Sequence, residues 1–177
     1  MKTLVERVVA IAESLDAAGI PWAFGGALAL AYATQEPRGT RDIDLNVFVG
    51  ADRAEGVFAS MPLGVRHSDA DVATSGHDDQ VRLWWDDTPI DIFFAADAFY
   101  VDVDRRCRSV PFAGRSVRVL CAEDLAVFKA MFDRAKDWVD IATMVEADAI
   151  DIESSAYRLG QLLGDDPRVE RLRSLAT

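Results

Sequence analysis

The amino-acid sequence predicts an α/β fold of the α+β kind, in which a mixed sheet forms first and helices follow. Three observations support this: an amphipathic helical pattern at the start, short strand-like runs separated by turn residues up to about residue 120, and a helical pattern thereafter. Strands followed by a run of helices are typical of α+β proteins. We therefore predict a core over residues 1–120 and a helical region over residues 121–177 packed on it.

Apolar spacing and turn residues divide the first half of the core into short elements. Leu4, Val8, Ile11 and Leu15 repeat at helical intervals, and Gly19 occupies a position that commonly ends a helix. The predicted elements are a helix at 2–18, a strand at 20–24, a second helix at 27–33, a turn at 37–39 and the clearest strand of the sequence at 42–49.

Two hairpins are predicted in the second half of the core. Residues 81–85 and 90–94 pair across 86–89, and a second hairpin over 110–120 turns at Ala113-Gly114. The other predicted elements are a helix at 51–60, a weak strand at 63–66, a polar loop at 68–79, and helices at 122–132, 136–147, 152–163 and after Pro167.

Composition limits the class of protein. The 177-residue chain is half hydrophobic, carries a formal charge of −11 and has two cysteines, Cys107 and Cys121, without a CxxC pair. A disulfide framework or a zinc site is therefore not expected. No apolar run reaches the length of a membrane span and the start lacks a secretion signal, so we predict a cytoplasmic protein without membrane contact. One basic segment is interpreted as a solvated face and comprises Arg105, Arg106, Arg108, Arg115 and Arg118.

Two aspartates stand at alternate positions of the clearest strand. Because residues two apart in a strand point to the same side, Asp42 and Asp44 share one face with Asn46, while the apolar residues between them face the core. Adjacent carboxylates repel each other and raise each other's pKa. Oxygen ligands of this kind suit Mg²⁺ or Mn²⁺, so the spacing predicts a divalent-metal site.

A Gly-Gly turn precedes the helix predicted at 27–33. Gly25 and Gly26 let the backbone approach a ligand closely, and the first N–H groups of the following helix favour a phosphate. The turn matches neither the GxGxxG fingerprint nor the Walker motif with its lysine. Both absences argue against a Rossmann oxidoreductase and a P-loop enzyme.

Asp91 is the third candidate carboxylate. It lies between Ile90 and Ile92 in a predicted strand, where a solvent-facing aspartate is the simpler interpretation. If that strand lies beside the one that carries Asp42 and Asp44, the three carboxylates meet and can bind two metal ions. Asp91 would then be the natural general base for an acceptor hydroxyl.

The order of the Gly-Gly turn, the Asp-Ile-Asp pair and the later Asp91 resembles the polymerase-β-like nucleotidyltransferase superfamily over residues 20–95. The resemblance implies a nucleotidyltransferase core that transfers a nucleoside monophosphate from an NTP and releases pyrophosphate. It implies that Asp42 and Asp44 bind metal ions and that Asp91 is the third ligand and the base. Many members have Ser where Gly26 stands; Thr40 or backbone N–H groups would then replace its hydroxyl.

The sequence of the predicted helical region resembles one particular group within this superfamily. The run DLAVFKAMFDRAKDWVDIATM looks like the K…RxKDxxD segment of AbiEii-type nucleotidyltransferases. RGTRDIDL resembles their RxTxDIDL form, which brings Thr40 and Arg41 into the predicted nucleotide site. The resemblance implies that Lys129 contacts the triphosphate and that Asp137 orients it or the acceptor. Asp137 and Asp140 also share a helix face by their spacing. The alternative is a surface ladder of ion pairs with little effect on stability.

The identity of the acceptor is predicted from the same resemblance. The AbiEii-type group includes bacterial toxins, which implies tRNA or another macromolecule as the acceptor and an antitoxin protein as a candidate partner. The first alternative is a small-molecule enzyme of the antibiotic-adenylylating kind, because a charge of −11 would attract a cationic aminoglycoside and repel RNA. The second is a non-catalytic nucleotide- or partner-binding module, against which the three intact carboxylates argue.

Overall fold

The computed structural model describes residues 2–176, which form nine α-helices and seven strands. The helices are α1 (Leu4–Ala18), α2 (Gly26–Thr34), α3 (Ala54–Ser60), α4 (Asp69–Asp78), α5 (Phe99–Arg106), α6 (Ala122–Phe132), α7 (Ala135–Glu146), α8 (Ile152–Leu163) and α9 (Pro167–Arg173). The strands are β1 (Trp22–Phe24), β2 (Ile43–Val47), β3 (Val65–Arg66), β4 (Gln80–Trp85), β5 (Thr88–Phe94), β6 (Arg108–Phe112) and β7 (Arg115–Val119).

All seven strands belong to one mixed sheet, in the order β3-β4-β5-β2-β1-β7-β6. Strand β2 pairs in parallel with β5 and antiparallel with β1, and β1 pairs in parallel with β7. The remaining pairs, β3–β4, β4–β5 and β6–β7, are antiparallel. The mixed α/β fold predicted from the sequence is confirmed.

Helix α1 forms where the sequence predicts it. Thr3 and Glu6 make a reciprocal capping box at its start, and Gly19 ends it with a φ of 64°. Its apolar stripe is buried, and so is Arg7, which pairs with Asp86 and Asp87. This charged contact fixes α1 against the turn between β4 and β5.

Both predicted hairpins are present. Ala113 and Gly114 both have positive φ, as a two-residue type I′ turn requires, and they join β6 to β7. The β4–β5 turn is also two residues long, Asp86-Asp87, with Asp86 at a φ of 53°. It is shorter than the four residues predicted, which changes the register of the hairpin.

Two helices were not predicted. The segment at 68–79 is not a loop, because Asp69–Asp78 forms α4. Its polar composition hid a helix start in which Ser68 and Asp71 form a capping box. Helix α5 also lies where no element was predicted, although its apolar residues fall on one face.

The interpretation of the basic segment as a solvated face is wrong for two of its arginines. Arg106 makes two hydrogen bonds to the fully buried carboxylate of Asp124. Arg118 donates to the backbone oxygens of Trp22 and Asp104 as well as to the Asp104 side chain. Both guanidinium groups therefore hold elements together.

The C-terminal helices pack on the sheet-containing part rather than standing apart from it. Helix α2 contacts α6 and α7, and buried side chains from both parts form one hydrophobic core. The domain boundary at residue 120 stays a prediction. No helix among residues 2–176 is long and apolar enough to cross a membrane.

Candidate active site

The sheet brings Asp44 and Asp91 side by side. In the parallel pairing of β2 with β5, Asp44 is directly opposite Asp91. The apolar neighbours Ile43, Leu45 and Ile90 are buried on the opposite face, as the alternation along each strand predicts. The strand that carries Asp91 therefore does lie beside the strand that carries the other carboxylates.

Gly26 lies against the carboxylate of Asp44. It has a φ of 48°, and a Cβ built there would overlap Asp44 Oδ2 and stand 2.9 Å from Asp44 Cβ. Gly25 is also confined, because its Cβ would stand 2.9 Å from the Asn46 side chain, and its N–H donates to the Asp44 carbonyl. The Gly-Gly turn thus places the start of α2 directly over the carboxylates.

Thr40 and Asp42 form a local pair. The hydroxyl of Thr40 donates to Asp42 Oδ1, and the Asp42 backbone N–H lies within 3.4 Å of the same hydroxyl oxygen. Thr40 therefore orients a predicted metal ligand rather than standing free to meet a phosphate. Arg41 is exposed next to this pair.

Arg82 holds Asp91 from the neighbouring strand. Its Nε and NH2 groups donate to the two carboxylate oxygens of Asp91 at 2.6 and 2.7 Å. Sequence reasoning missed this residue because it predicted a four-residue turn, which pairs Trp85 with Ile90. The observed two-residue turn puts Arg82 opposite Asp91, and recognising Asp86-Asp87 as that turn would have found it.

The electrostatics of the site centre on Asp44. Burial, followed by the negative charges of Asp42 and Asp91, raises the pKa of Asp44 to about 6. The positive charges of Lys129 and Lys136 act in the opposite direction. The mutual repulsion predicted from the spacing of the aspartates is therefore present in the fold.

Lys129 links the C-terminal helices to the carboxylates. Its Nζ lies 2.6 Å from Asp140 Oδ2 and 3.6 Å from Asp137 Oδ1. All three side chains are largely buried, so they do not form the exposed ladder that was the alternative interpretation. Arg38 NH1, from the loop before β2, lies 2.6 Å from Asp140 Oδ1 and ties that loop to α7.

Asp137 is enclosed by positive charge. Burial acts to raise its pKa, but the hydrogen bonds and charge of Arg134, with the charge of Lys129, lower the pKa below its ordinary value. The side chain has no exposed surface, and Arg134 Nε donates to it at 2.6 Å. Asp137 can therefore act on a ligand only through Arg134 or Lys129. Arg134 is the arginine of the RxKDxxD segment, but the sequence analysis assigned it no role.

The donor set suits a divalent cation in its chemistry. Carboxylate oxygens are the ligands that Mg²⁺ and Mn²⁺ prefer, and burial, followed by the charges of Asp42 and Asp91, raises the pKa of Asp44 and so disfavours its ionised form when no cation is bound. Within residues 2–176, however, no three Asp, Glu, His or Cys side chains stand close enough to hold an ion. Asp91 faces Arg82 instead.

A cavity of about 270 Å³ reaches the carboxylates from one side. Its walls are largely apolar and come from α1, α2 and the loop before β2, with Phe112 closing one end. Asp42 and Asp44 line its floor. The volume is close to the lower end of the range for small-molecule sites.

Comparisons with known proteins give structural likeness alone. No family model and no curated protein matches the chain. ANT(2'')-Ia, solved in complex with adenylyl-2''-tobramycin, aligns over 98% of this chain and 96% of its own, with a TM-score of 0.57 and 19% identity. The solution structure of the same protein, described as an antibiotic-resistance factor, aligns over 96% of this chain and 89% of its own, with a TM-score of 0.55 and 20% identity.

Two further structures extend this likeness. The lincosamide antibiotic adenylyltransferase LnuA, lincomycin-bound, aligns over 80% of this chain and 96% of its own, with a TM-score of 0.54 and 12% identity. An antigenic nucleotidyltransferase-like protein from Paracoccidioides brasiliensis aligns over 96% and 92%, with a TM-score of 0.50 and 16% identity. The chain therefore has the nucleotidyltransferase fold.

Proposed function

We propose that the protein is a divalent-metal-dependent nucleotidyltransferase that moves a nucleoside monophosphate from an NTP to an acceptor hydroxyl. One observation carries this proposal: Asp44 and Asp91 lie side by side on paired strands, with Gly26 packed on Asp44, in a nucleotidyltransferase fold. The three carboxylates predicted from the sequence would hold the ion, which requires Asp91 to turn from Arg82 towards the other two. When bound, Mg²⁺ or Mn²⁺ would neutralise charge on the phosphates and on the leaving pyrophosphate.

The reacting groups are assigned by position. Asp91 takes the proton from the acceptor hydroxyl, whose oxygen then bonds to the α-phosphorus as the bond to the pyrophosphate oxygen breaks. Asp42, held by Thr40, and Asp44, buried beneath Gly26, are the more rigid pair of ligands. Asp91 is bonded instead to Arg82, whose side chain is half exposed.

The triphosphate is assigned to the surface between α2 and α7. Backbone N–H groups after Gly25 and Gly26 point from the start of α2, where anions are favoured. Lys129 supplies a partly buried positive charge near Asp44. Arg134 adds a second cation, and Asp137 holds these two side chains in place.

We propose a small molecule as the acceptor in preference to tRNA. The charge of −11 opposes the binding of nucleic acid, and a small apolar cavity opens beside Asp42 and Asp44. Of the proteins with a similar fold, ANT(2'')-Ia is described in complex with adenylyl-2''-tobramycin and LnuA is described as lincomycin-bound. A macromolecular acceptor and an antitoxin partner stay predictions from the sequence.

The test is transfer of label from each α-³²P-NTP, with Mg²⁺, to a panel of aminoglycosides and lincosamides and, separately, to total tRNA. Label on a drug supports the proposal, and label on tRNA supports the macromolecular alternative. Asp42→Asn should abolish transfer, while Asp165→Asn, an exposed aspartate in the loop before α9, should leave it unchanged. Nucleotide binding without any transfer would contradict the proposed transfer activity and favour a non-catalytic nucleotide-binding module.

A further inference from the structure

Arg82, Asp91 and Asp44 form one row across three strands. The antiparallel β4–β5 register pairs Arg82 with Asp91, and the parallel β2–β5 register pairs Asp91 with Asp44. The alternation of buried and exposed positions puts all three side chains on the same face of the sheet. Asp91 therefore lies between a cation on one side and a second carboxylate on the other.

The contact between Arg82 and Asp91 uses both oxygens of the carboxylate. The two bonds, at 2.6 and 2.7 Å, have the parallel fork geometry that is strongest for a guanidinium and a carboxylate. In this arrangement the negative charge of Asp91 is already compensated. A metal ion that binds the same oxygens has to compete with Arg82.

The exposure of Arg82 allows its guanidinium group to separate from Asp91. Its side chain is 53% exposed, whereas that of Asp91 is 19% exposed, and its neighbours along that face of β4, Gln80 and Trp84, are also exposed. An ion pair with one exposed partner stabilises a fold less than a buried pair does, although the two-bond fork makes this pair stronger than most exposed pairs. Water can solvate the released guanidinium, because Arg82 is already half exposed.

We propose that Arg82 is a positioning residue that neutralises Asp91 in the absence of a divalent cation and gives way when such a cation binds. The inference rests on the proposed function, because it takes Asp91 as a metal ligand. The ion pair sets the affinity of the site for its cation.

The test measures direct binding of Mn²⁺, without nucleotide or acceptor, by electron paramagnetic resonance. Arg82→Gln should bind Mn²⁺ about two- to fivefold more tightly than the wild type, the change expected for releasing an exposed ion pair. Arg82→Lys, which keeps the charge but not the fork, should lie between the two. Lys136→Gln is the matched control, because Lys136 also acts on Asp44 through its charge.

The outcomes separate this inference from the proposed function. Tighter binding by Arg82→Gln than by Lys136→Gln supports the role of the direct contact. Equal Mn²⁺ affinities in these two variants would overturn the inference, since the effect would then come from the general loss of positive charge. The proposed nucleotidyl transfer would not be affected by that outcome. If neither the wild type nor Arg82→Gln binds Mn²⁺, both the inference and the proposed metal site fall.

Discussion

A single hydrogen atom at position 26 allows the start of α2 to rest on the carboxylate of Asp44. Any larger side chain at Gly26 would meet Asp44 Oδ2, and the φ of 48° disfavours L-residues in any case. A serine at this place, as in many members of the superfamily that the sequence resembles, would therefore need a different local backbone. In the proposed function the phosphate-binding role passes to backbone N–H groups and to Lys129.

Gly26→Ala should remove most transfer activity while the chain still folds. The methyl group has to displace the Asp44 carboxylate, and a displacement of about 1 Å at a reacting centre costs roughly 100-fold in rate. The strained φ adds about 1–3 kcal/mol of destabilisation. The rate of label transfer and the urea midpoint measure both effects.

Gly56→Ala is the control for this prediction. Gly56 lies within α3, and a Cβ there meets nothing within 4 Å. Alanine is the better helix former by roughly 1 kcal/mol, so this variant should be slightly more stable and fully active. A Gly26→Ala enzyme as active as Gly56→Ala would disprove the proposed packing role.

The pairing of β2 with β5 brings like charges together, so its stability depends on pH. The pKa of Asp44 is raised to about 6 in the folded protein, from an ordinary value of 3.8. The folded state therefore holds the proton more tightly than the unfolded state does. Stability that is present below pH 4 is lost as the pH rises through 6.

Asp44→Asn should be more stable than the wild type at pH 8 in the presence of EDTA, by on the order of 2 kcal/mol. The difference should vanish below about pH 3, where Asp44 is protonated in both states. Urea unfolding across this pH range provides the measurement, with Asp165→Asn as the exposed control. Equal stability of Asp44→Asn and wild type at pH 8 would show that the charges do not strain the sheet.

Periodicity and turn chemistry found the elements with strong local signals. The apolar stripe of α1, the Ala113-Gly114 turn and the alternation around Asp44 are local patterns, and the structure contains all three. Polar elements were missed, because α4 shows its start only through Ser68 and Asp71. Register was also missed: a turn shorter by two residues decides that Arg82 meets Asp91.

On the scale of the whole molecule, a buried carboxylate joins the sheet-containing part to the C-terminal helices. Asp124 in α6 has no exposed surface and accepts hydrogen bonds from Arg106 in α5, from Arg158 in α8 and from the thiol of Cys121. No sequence pattern pointed to this contact, because its members are distant in the chain. Burial also raises the pKa of Cys121 to about 11, which keeps the thiol protonated.

Asp124→Asn should destabilise the protein by about 3–5 kcal/mol, because it leaves two guanidinium groups facing each other without their shared anion. The exposed pair of Arg105 and Asp102 gives the control, since Asp102→Asn should change stability by less than about 1 kcal/mol. Urea unfolding followed by circular dichroism and by tryptophan fluorescence measures both. Similar midpoints for the two variants would contradict a joining role for Asp124.

The two ends of the sheet have a consequence for aggregation. At one end β3 is only two residues long, and at the other the outer strand β6 contains Pro111. Proline offers no N–H to a further strand, and the carbonyl of Pro111 already accepts a hydrogen bond from Tyr32. A second molecule therefore finds no long row of free backbone groups at either end, which protects the sheet against edge-to-edge growth.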